Sequence, residues 1–253
     1  AMLIDAVSFG ISAWFLLRMR HRGDRDRQPS SRRGMWREVA EGLRYCATEP
    51  RLRAIAGAAA NLNLFSSIAL ALMVLYLNRV MGMPPVLVSL VFAAWGAGAL
   101  AGSVLAPLLG RRFTEGRTIV GATAVFSIGL FAYPPVRGPL WFETTVIAAA
   151  SIVLGGAVFV FDVHSAALRQ AITPGRLQGR SASAMTFLTQ GVKPLGALAG
   201  GALGETLGVR GALWFAAAGA ITSVLWTYWS PLRTGQPSED TAEPATAPSG
   251  PAA

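Results

Sequence analysis

Seven long apolar runs, separated by short polar connections, constrain this chain more than any other feature. They cover approximately residues 2–17, 54–77, 86–109, 118–133, 141–163, 183–203 and 211–229. Runs of about 17–25 apolar residues match the ~30 Å hydrocarbon layer of a bilayer at a helical rise of 1.5 Å per residue. Backbone groups must be satisfied within lipid, and the runs lack the alternation of barrel strands. The sequence therefore predicts an all-α membrane protein with about seven transmembrane helices.

The cationic residues predict the orientation of these helices. Of the 22 lysines and arginines, eighteen lie in every second connection or in the tail: between residues 18 and 53, in 111–117, in 169–180, and at 233. Positive charge resists translocation, so these connections and the C-terminus are predicted to be cytoplasmic. The same topology accounts for the net charge of +9, and we expect no nucleic-acid partner.

Composition and charge divide the chain into four parts. Residues 1–18 are predicted to be a transmembrane helix that lacks its beginning, since no charged segment precedes the apolar run as in a signal peptide. We therefore expect the chain to be a fragment. Residues 19–53 form a basic cytoplasmic loop, residues 54–230 a six-helix bundle, and residues 231–253, rich in Pro, Ala, Ser and Thr, a disordered tail.

One segment of the basic loop, residues 35–47, has the periodicity of an amphipathic helix. Its apolar residues recur at helical spacing, and arginines and glutamates occupy the opposite face. We expect this helix to lie at the membrane interface or against the bundle. The apolar positions are Trp36, Val39, Ala40, Leu43, Cys46 and Ala47.

The sixth run carries a polar stripe that ends in the single lysine of the chain. Ser183, Thr186, Gln190 and Lys193 follow one another by three, four and three residues, which places them on one face of a helix. An ionisable residue at membrane depth costs about 2.5–3.5 kcal/mol on insertion scales and needs a partner or a wet cavity. We favour the wall of a water-filled cavity. In the alternative, Lys193 extends toward the interface or binds free carbonyls near Pro194.

Polar residues in two other runs are candidates for the same cavity. Asn61 and Asn63 lie well inside the second run, where contact with substrate and interhelical hydrogen bonding are equally favoured interpretations. Asp162 and His164 end the fifth run. Asp162 could carry protons, or it could have a structural role by binding Arg169 or a helix terminus. We favour the structural role. Its offset along the membrane normal argues against a direct ion pair with Lys193.

The ordinary pKa of histidine would suit His164 for proton exchange, although a lone histidine at a helix end is usually solvated.

The sequence contains no combination of residues typical of an enzyme active site. With two histidines and one cysteine, a His/Cys metal site is not expected. Neither a P-loop nor a Gly-x-Ser-x-Gly motif is present. We expect no catalytic activity, no metal and no cofactor.

Several short motifs, in order along the chain, resemble the C-terminal half of a major facilitator superfamily transporter. They are most similar to bacterial drug and siderophore exporters of the enterobactin-exporter branch. The motifs are Asp5-Ala6-Val7-Ser8-Phe9, Glu41-Gly42-Leu43-Arg44, Pro50-Arg51-Leu52-Arg53, Leu168-Arg169-Gln170, Pro174-Gly175-Arg176-Leu177-Gln178-Gly179-Arg180 and Pro194-Leu195-Gly196-Ala197 with Gly200-Gly201.

The resemblance implies that the seven runs correspond to the sixth through twelfth helices of a twelve-helix transporter. It implies that the second, third, fifth and sixth runs face the central pathway. The segment 110–117 is similar to the superfamily's short Asp-Arg-x-Gly-Arg loop, with the aspartate missing. Its matching residues are Arg111, Arg112, Gly116 and Arg117.

These observations predict a secondary transporter of the inner membrane, in particular an exporter that works by alternating access. Asn61, Asn63, Thr186, Gln190 and Lys193 would line the substrate pathway. Asp162, His164 and Arg169 are candidates for proton transfer or gating. The expected partners are a small-molecule substrate, the lipid bilayer and an N-terminal transporter half. The alternative is a non-transporting membrane scaffold or partner-binding subunit that uses the amphipathic helix and the basic loop.

Overall fold

The computed structural model describes Trp14 and residues 32–229, except the side chains of residues 32–39 and of Arg176. Apart from Trp14, the predicted first helix lies outside the described residues, and so does the predicted disordered tail. The chain divides into two units, Ala1–Glu38 and Val39–Ala253. In the first unit, the structure describes Trp14 and the backbone of residues 32–38, and the other described residues belong to the second unit.

Every regular element among the described residues is helical, which confirms the all-α prediction. Prolines at the first helical position or at the preceding cap begin four of the helices, as expected from their fixed φ and missing N–H. The helices are α1 (Arg32–Thr48), α2 (Pro50–Leu75, continued by a π-helical turn Tyr76–Val80), α3 (Pro85–Arg112), α4 (Glu115–Gly129, continued by a 3₁₀ turn Leu130–Ala132), α5 (Leu140–Ile172), α6 (Gly175–Thr206) and α7 (Gly208–Tyr228).

Four of these helices are long and apolar enough to cross a membrane by length and composition: α2 with its continuation, α3, α5 and α7. Helix α4, in the predicted fourth span, has only 15 residues before its 3₁₀ turn. Helix α6 covers the predicted sixth span with 32 residues. Its polar stripe lowers its hydropathy, and such a stripe suits a helix that faces water within the bundle.

Helices distant in sequence are packed together in the bundle. Short connections make sequential helices antiparallel, yet α3 packs most extensively on α5, and α2 packs on α6 and α7. Glycines allow the closest approaches, because a Cβ on Gly102 would lie 2.8 Å from Gly156 Cα and one on Gly200 would lie 2.9 Å from the Ile68 carbonyl oxygen. Such small-residue contacts bring helix backbones together where lipid provides no hydrophobic driving force.

The arginine-poor end of the bundle is closed by a hydrogen-bonded cluster. The Tyr76 hydroxyl donates to the Tyr133 carbonyl at 2.8 Å, and the Tyr133 hydroxyl lies 3.0 Å from Ser151 Oγ. Arg210 donates to the Val136 carbonyl at 3.2 Å and lies 5.9 Å from the Tyr76 ring centroid. Tyr76 and Tyr133 are fully buried. The other end, where α2, α4 and α6 begin and α3, α5 and α7 finish, we call the arginine-rich end.

Candidate functional site

A cavity of about 530 Å³ lies between α2, α5 and α6. Its lining begins near the arginine-rich end and reaches about the middle of these helices. Polar side chains come from all three helices, and Trp95 is the contribution of α3. The lining comprises Ile55, Ala59, Leu62, Asn63, Ser66, Ser67, Leu70, Trp95, Val158, Phe161, Asp162, Ser165, Ala166, Arg169, Met185, Thr186, Thr189, Gln190 and Lys193.

Helix α6 directs its predicted polar stripe into this cavity. Thr186, Gln190 and Lys193 all belong to the lining and are exposed, whereas Ser183 is exposed but outside it. Pro194 lies inside α6. Because proline has no N–H, it leaves the backbone carbonyl of Gln190 without its usual helical donor. The stripe therefore presents an ammonium group, an amide and a free carbonyl within one turn of helix.

The two asparagines of α2 point in different directions. Asn63 is half-buried in the cavity lining, and its amide donates to the Ala59 carbonyl at 2.8 Å. Asn61 donates to Thr222 Oγ1 of α7 at 2.6 Å, and it is not part of the lining. Asn61 therefore forms an interhelical hydrogen bond, which was one of the two interpretations offered for it. Asn63 is the asparagine that lines the cavity.

Asp162 is the one carboxylate in the lining. Among the described residues it has no hydrogen bond and no ion pair, including with Arg169. Lys193 lines the same cavity. The exposed carboxylate and the exposed ammonium thus share one cavity without contact, and each remains able to bind something else.

His164 faces away from this cavity. It is buried, and its Nε2 lies 3.0 Å from the Ala106 carbonyl oxygen of α3. Gly110 leaves room for the ring, because a Cβ there would lie 3.0 Å from Cε1. The expectation of a solvated histidine does not fit this environment: a glycine on the neighbouring helix makes the space that buries the ring.

The arginine-rich loop between α3 and α4 lies outside the cavity. Arg111 and Arg112 end α3, and Arg117 lies in the first turn of α4; all three are exposed. Gly116 is buried beside them. Among the described residues these arginines form no ion pair or hydrogen bond, so the loop carries free positive charge.

Helix α1 docks on the end of α5 and the beginning of α6. Glu41 accepts from Arg180 at 2.8 Å, Cys46 Sγ lies 3.6 Å from Ser181 Oγ, and the Tyr45 hydroxyl donates to the Ile172 carbonyl at 3.3 Å. Burial, followed by the nearby Glu49 carboxylate, raises the pKa of Tyr45.

The docked face of α1 differs from the apolar face predicted from the sequence. Gly42 and Cys46 are buried, while Ala40, Leu43 and Ala47 remain exposed. A glycine has no hydrophobic side chain to mark it, yet Gly42 permits direct backbone contact with Arg180.

Several residues of the cavity were missed by the sequence interpretation. Thr189 lies one turn of helix from Thr186 and could have been added to the stripe from its spacing. Ser66 follows Asn63 by three residues and could have been found in the same way. Trp95 and Ser165 carry no such signal, because their inclusion depends on how α3 and α5 are rotated in the bundle.

Comparison with known families decides the class of the protein. One family model from the major facilitator superfamily, described as transmembrane secretion effector, matches residues 1–249. The chain belongs to this family. Membership in the major facilitator superfamily confirms the predicted superfamily and makes the protein a multi-pass membrane protein. It also favours a transporter over an enzyme. No curated protein and no solved structure matches the chain significantly.

Proposed function

We propose that the chain acts as the C-terminal half of a secondary transporter that exports a small molecule across the inner membrane by alternating access. The observation that carries this proposal is the cavity between α2, α5 and α6, into which Asp162, Gln190 and Lys193 project unpaired groups. Ionisable groups at membrane depth mark substrate and ion pathways. An N-terminal half would supply the opposite wall, as in transporters built from two related halves.

The chemistry of the cavity favours an amphiphilic substrate with an anionic group. Its charged lining consists of Arg169 and Lys193 against Asp162, which leaves one net positive charge. A second, largely apolar pocket of about 200 Å³ adjoins it and shares Ser66, Leu70 and Trp95. A substrate with its anionic group at Lys193 and its apolar body in this second pocket would match both the cavity and the pocket.

Proton coupling through Asp162 is part of the proposal. Asp162 is the carboxylate in the lining of the cavity, and Lys193 lines the same cavity. Release of a proton would strengthen the attraction to Lys193 and weaken the hold of Lys193 on an anionic substrate. Export in vesicles should then respond to an imposed pH gradient, and the coupling is wrong if export ignores that gradient.

Transport by cavity variants tests the function itself. In cells expressing the complete transporter, Gln190→Ala and Lys193→Ala should each reduce efflux of the anionic amphiphile 8-anilinonaphthalene-1-sulfonate. We expect about a tenfold effect for Lys193, the size of a lost charge-assisted hydrogen bond. Ser183→Ala, on the same helix but outside the cavity, is the matched control and should export normally.

The outcomes of this experiment separate three explanations. Loss of efflux in both cavity variants with a normal Ser183→Ala supports the pathway. Efflux of the cationic amphiphile ethidium in place of the anion would overturn the substrate class alone. Efflux unaffected by every variant, at equal expression, would favour the scaffold interpretation.

A further inference from the structure

A second large groove lies on a different side of the bundle, between α3 and α4. Helix α4 packs against α5 and α7 and barely touches α3, so the two helices leave a gap whose floor is α5. The groove has a volume of about 690 Å³. Glycines and alanines form much of its surface, and they leave room where larger side chains would close the gap.

The groove has one charged end. Its lining is apolar along α3, α4 and α5 except for Thr118, whose hydroxyl donates to the Thr114 carbonyl at 3.2 Å, and Arg117. Arg117 lies at the arginine-rich end, a few residues from Arg111 and Arg112. Glu115 is the one acidic residue among residues 110–117, so this end keeps a net charge of +2.

The length of the groove matches one leaflet of a bilayer. Along α3 it runs from Gly98 to Leu109, which is about 16 Å at 1.5 Å per residue. Half of a ~30 Å hydrocarbon layer is about 15 Å. A transmembrane helix from a second protein would continue across both leaflets, whereas an acyl chain ends near the middle of the bilayer.

We propose that this groove is a binding site for one anionic phospholipid. An acyl chain lies between α3 and α4 over the floor formed by α5, and the phosphate headgroup is bound by Arg117 with support from Arg111 and Arg112. These arginines have no ion pair or hydrogen bond among the described residues. Basic pockets between transmembrane helices at the cytoplasmic side bind anionic lipid headgroups.

Two variants test the two ends of the site separately. Arg117→Ala removes the headgroup contact, and the residue is exposed, so its loss should leave the fold intact. Gly121→Leu fills the groove from α4, where no atom lies within 4 Å of an added Cβ. The matched controls are Arg79→Ala, an exposed arginine at the opposite end of the bundle, and Gly201→Leu, an exposed glycine outside the groove that also has no neighbour within 4 Å.

Native mass spectrometry of the full chain, titrated with phosphatidylglycerol or phosphatidylcholine of identical acyl chains, gives the readout. We expect one phosphatidylglycerol to be retained in preference to phosphatidylcholine. Arg117→Ala should weaken this binding about fivefold, the effect of one arginine near an anionic lipid surface, and Gly121→Leu should weaken it at least as much. Neither control should change it.

Equal retention of the two lipids, or unchanged binding in Arg117→Ala, would overturn the site. A protein dimer that Gly121→Leu dissociates, with no retained lipid, would instead identify a second copy of the chain as the occupant and would also reject the proposal.

Discussion

Lys193 of α6 and Asp162 of α5 line one cavity and form no ion pair with each other. Opposite charges that face one cavity should show coupled effects when they are substituted. We expect Asp162→Asn and Lys193→Ala to reduce efflux individually, and the double variant to lose two- to fivefold less than the product of the single effects. Initial efflux rates of the four proteins measure this. Strictly multiplicative losses would show that the two residues act independently.

His164 should matter for stability rather than for proton transfer. His164→Ala removes a buried side chain and its hydrogen bond to the Ala106 carbonyl, and such a bond contributes about 0.5–1.5 kcal/mol. We expect a lower Tm in detergent together with an unchanged pH profile of efflux. A normal Tm with a shifted pH profile would reverse this assignment and make His164 a titrating group in transport.

Gly102 should be required for the contact between α3 and α5. An added Cβ would lie 2.8 Å from Gly156 Cα, and overpacking of this kind costs about 1–3 kcal/mol. Gly102→Ala is therefore expected to lower the Tm. Gly96→Ala on the same helix, with no atom within 4 Å of the added carbon, should match or exceed the wild-type Tm because alanine has the higher helix propensity.

The close backbone contact at Gly42 should stabilise the docking of α1 on the bundle more than the Glu41–Arg180 ion pair does. A Cβ on Gly42 would lie 2.8 Å from the carbonyl carbon of Arg180, so Gly42→Ala must displace α1. The Glu41–Arg180 pair is partly exposed, and such pairs contribute about 0–1 kcal/mol.

Cys46 is the single cysteine of the chain, and it is buried where α1 docks. Its reactivity therefore measures how often α1 leaves the bundle. Its maleimide labelling rate should rise clearly in Gly42→Ala, slightly in Glu41→Gln, and not at all in the control Gly179→Ala, where an added Cβ meets no atom within 4 Å. A larger effect in Glu41→Gln than in Gly42→Ala would mean that charge, not backbone contact, holds α1.

The sequence predicted the features that depend on periodicity along one helix. The apolar runs gave the all-α bundle, and the spacing of Thr186, Gln190 and Lys193 gave a common face because α6 is continuous through Pro194. Features that depend on how helices are rotated against one another could not be predicted. Asn61 and Asn63 are two residues apart, so they point in different directions, and packing on α6 and α7 decides which one meets the cavity.

Glycines explain the remaining differences. Gly110 makes space for His164, and Gly42 selects the docked face of α1, although neither has a side chain that a hydrophobic pattern could register. Local sequence therefore reveals which face of a helix is polar, while the closest helix contacts are set by residues that only the assembled bundle identifies.

Water access to α6 tests the central claim most directly. In a Cys46→Ala background, single cysteines at Gln190 and Lys193 should react with a membrane-impermeant maleimide applied from the arginine-rich end. A cysteine at Leu198, an exposed apolar position on α6 outside the cavity, should stay unlabelled. Protection of Gln190→Cys and Lys193→Cys from the reagent, or equal labelling at all three positions, would contradict a water-filled pathway along this face of α6.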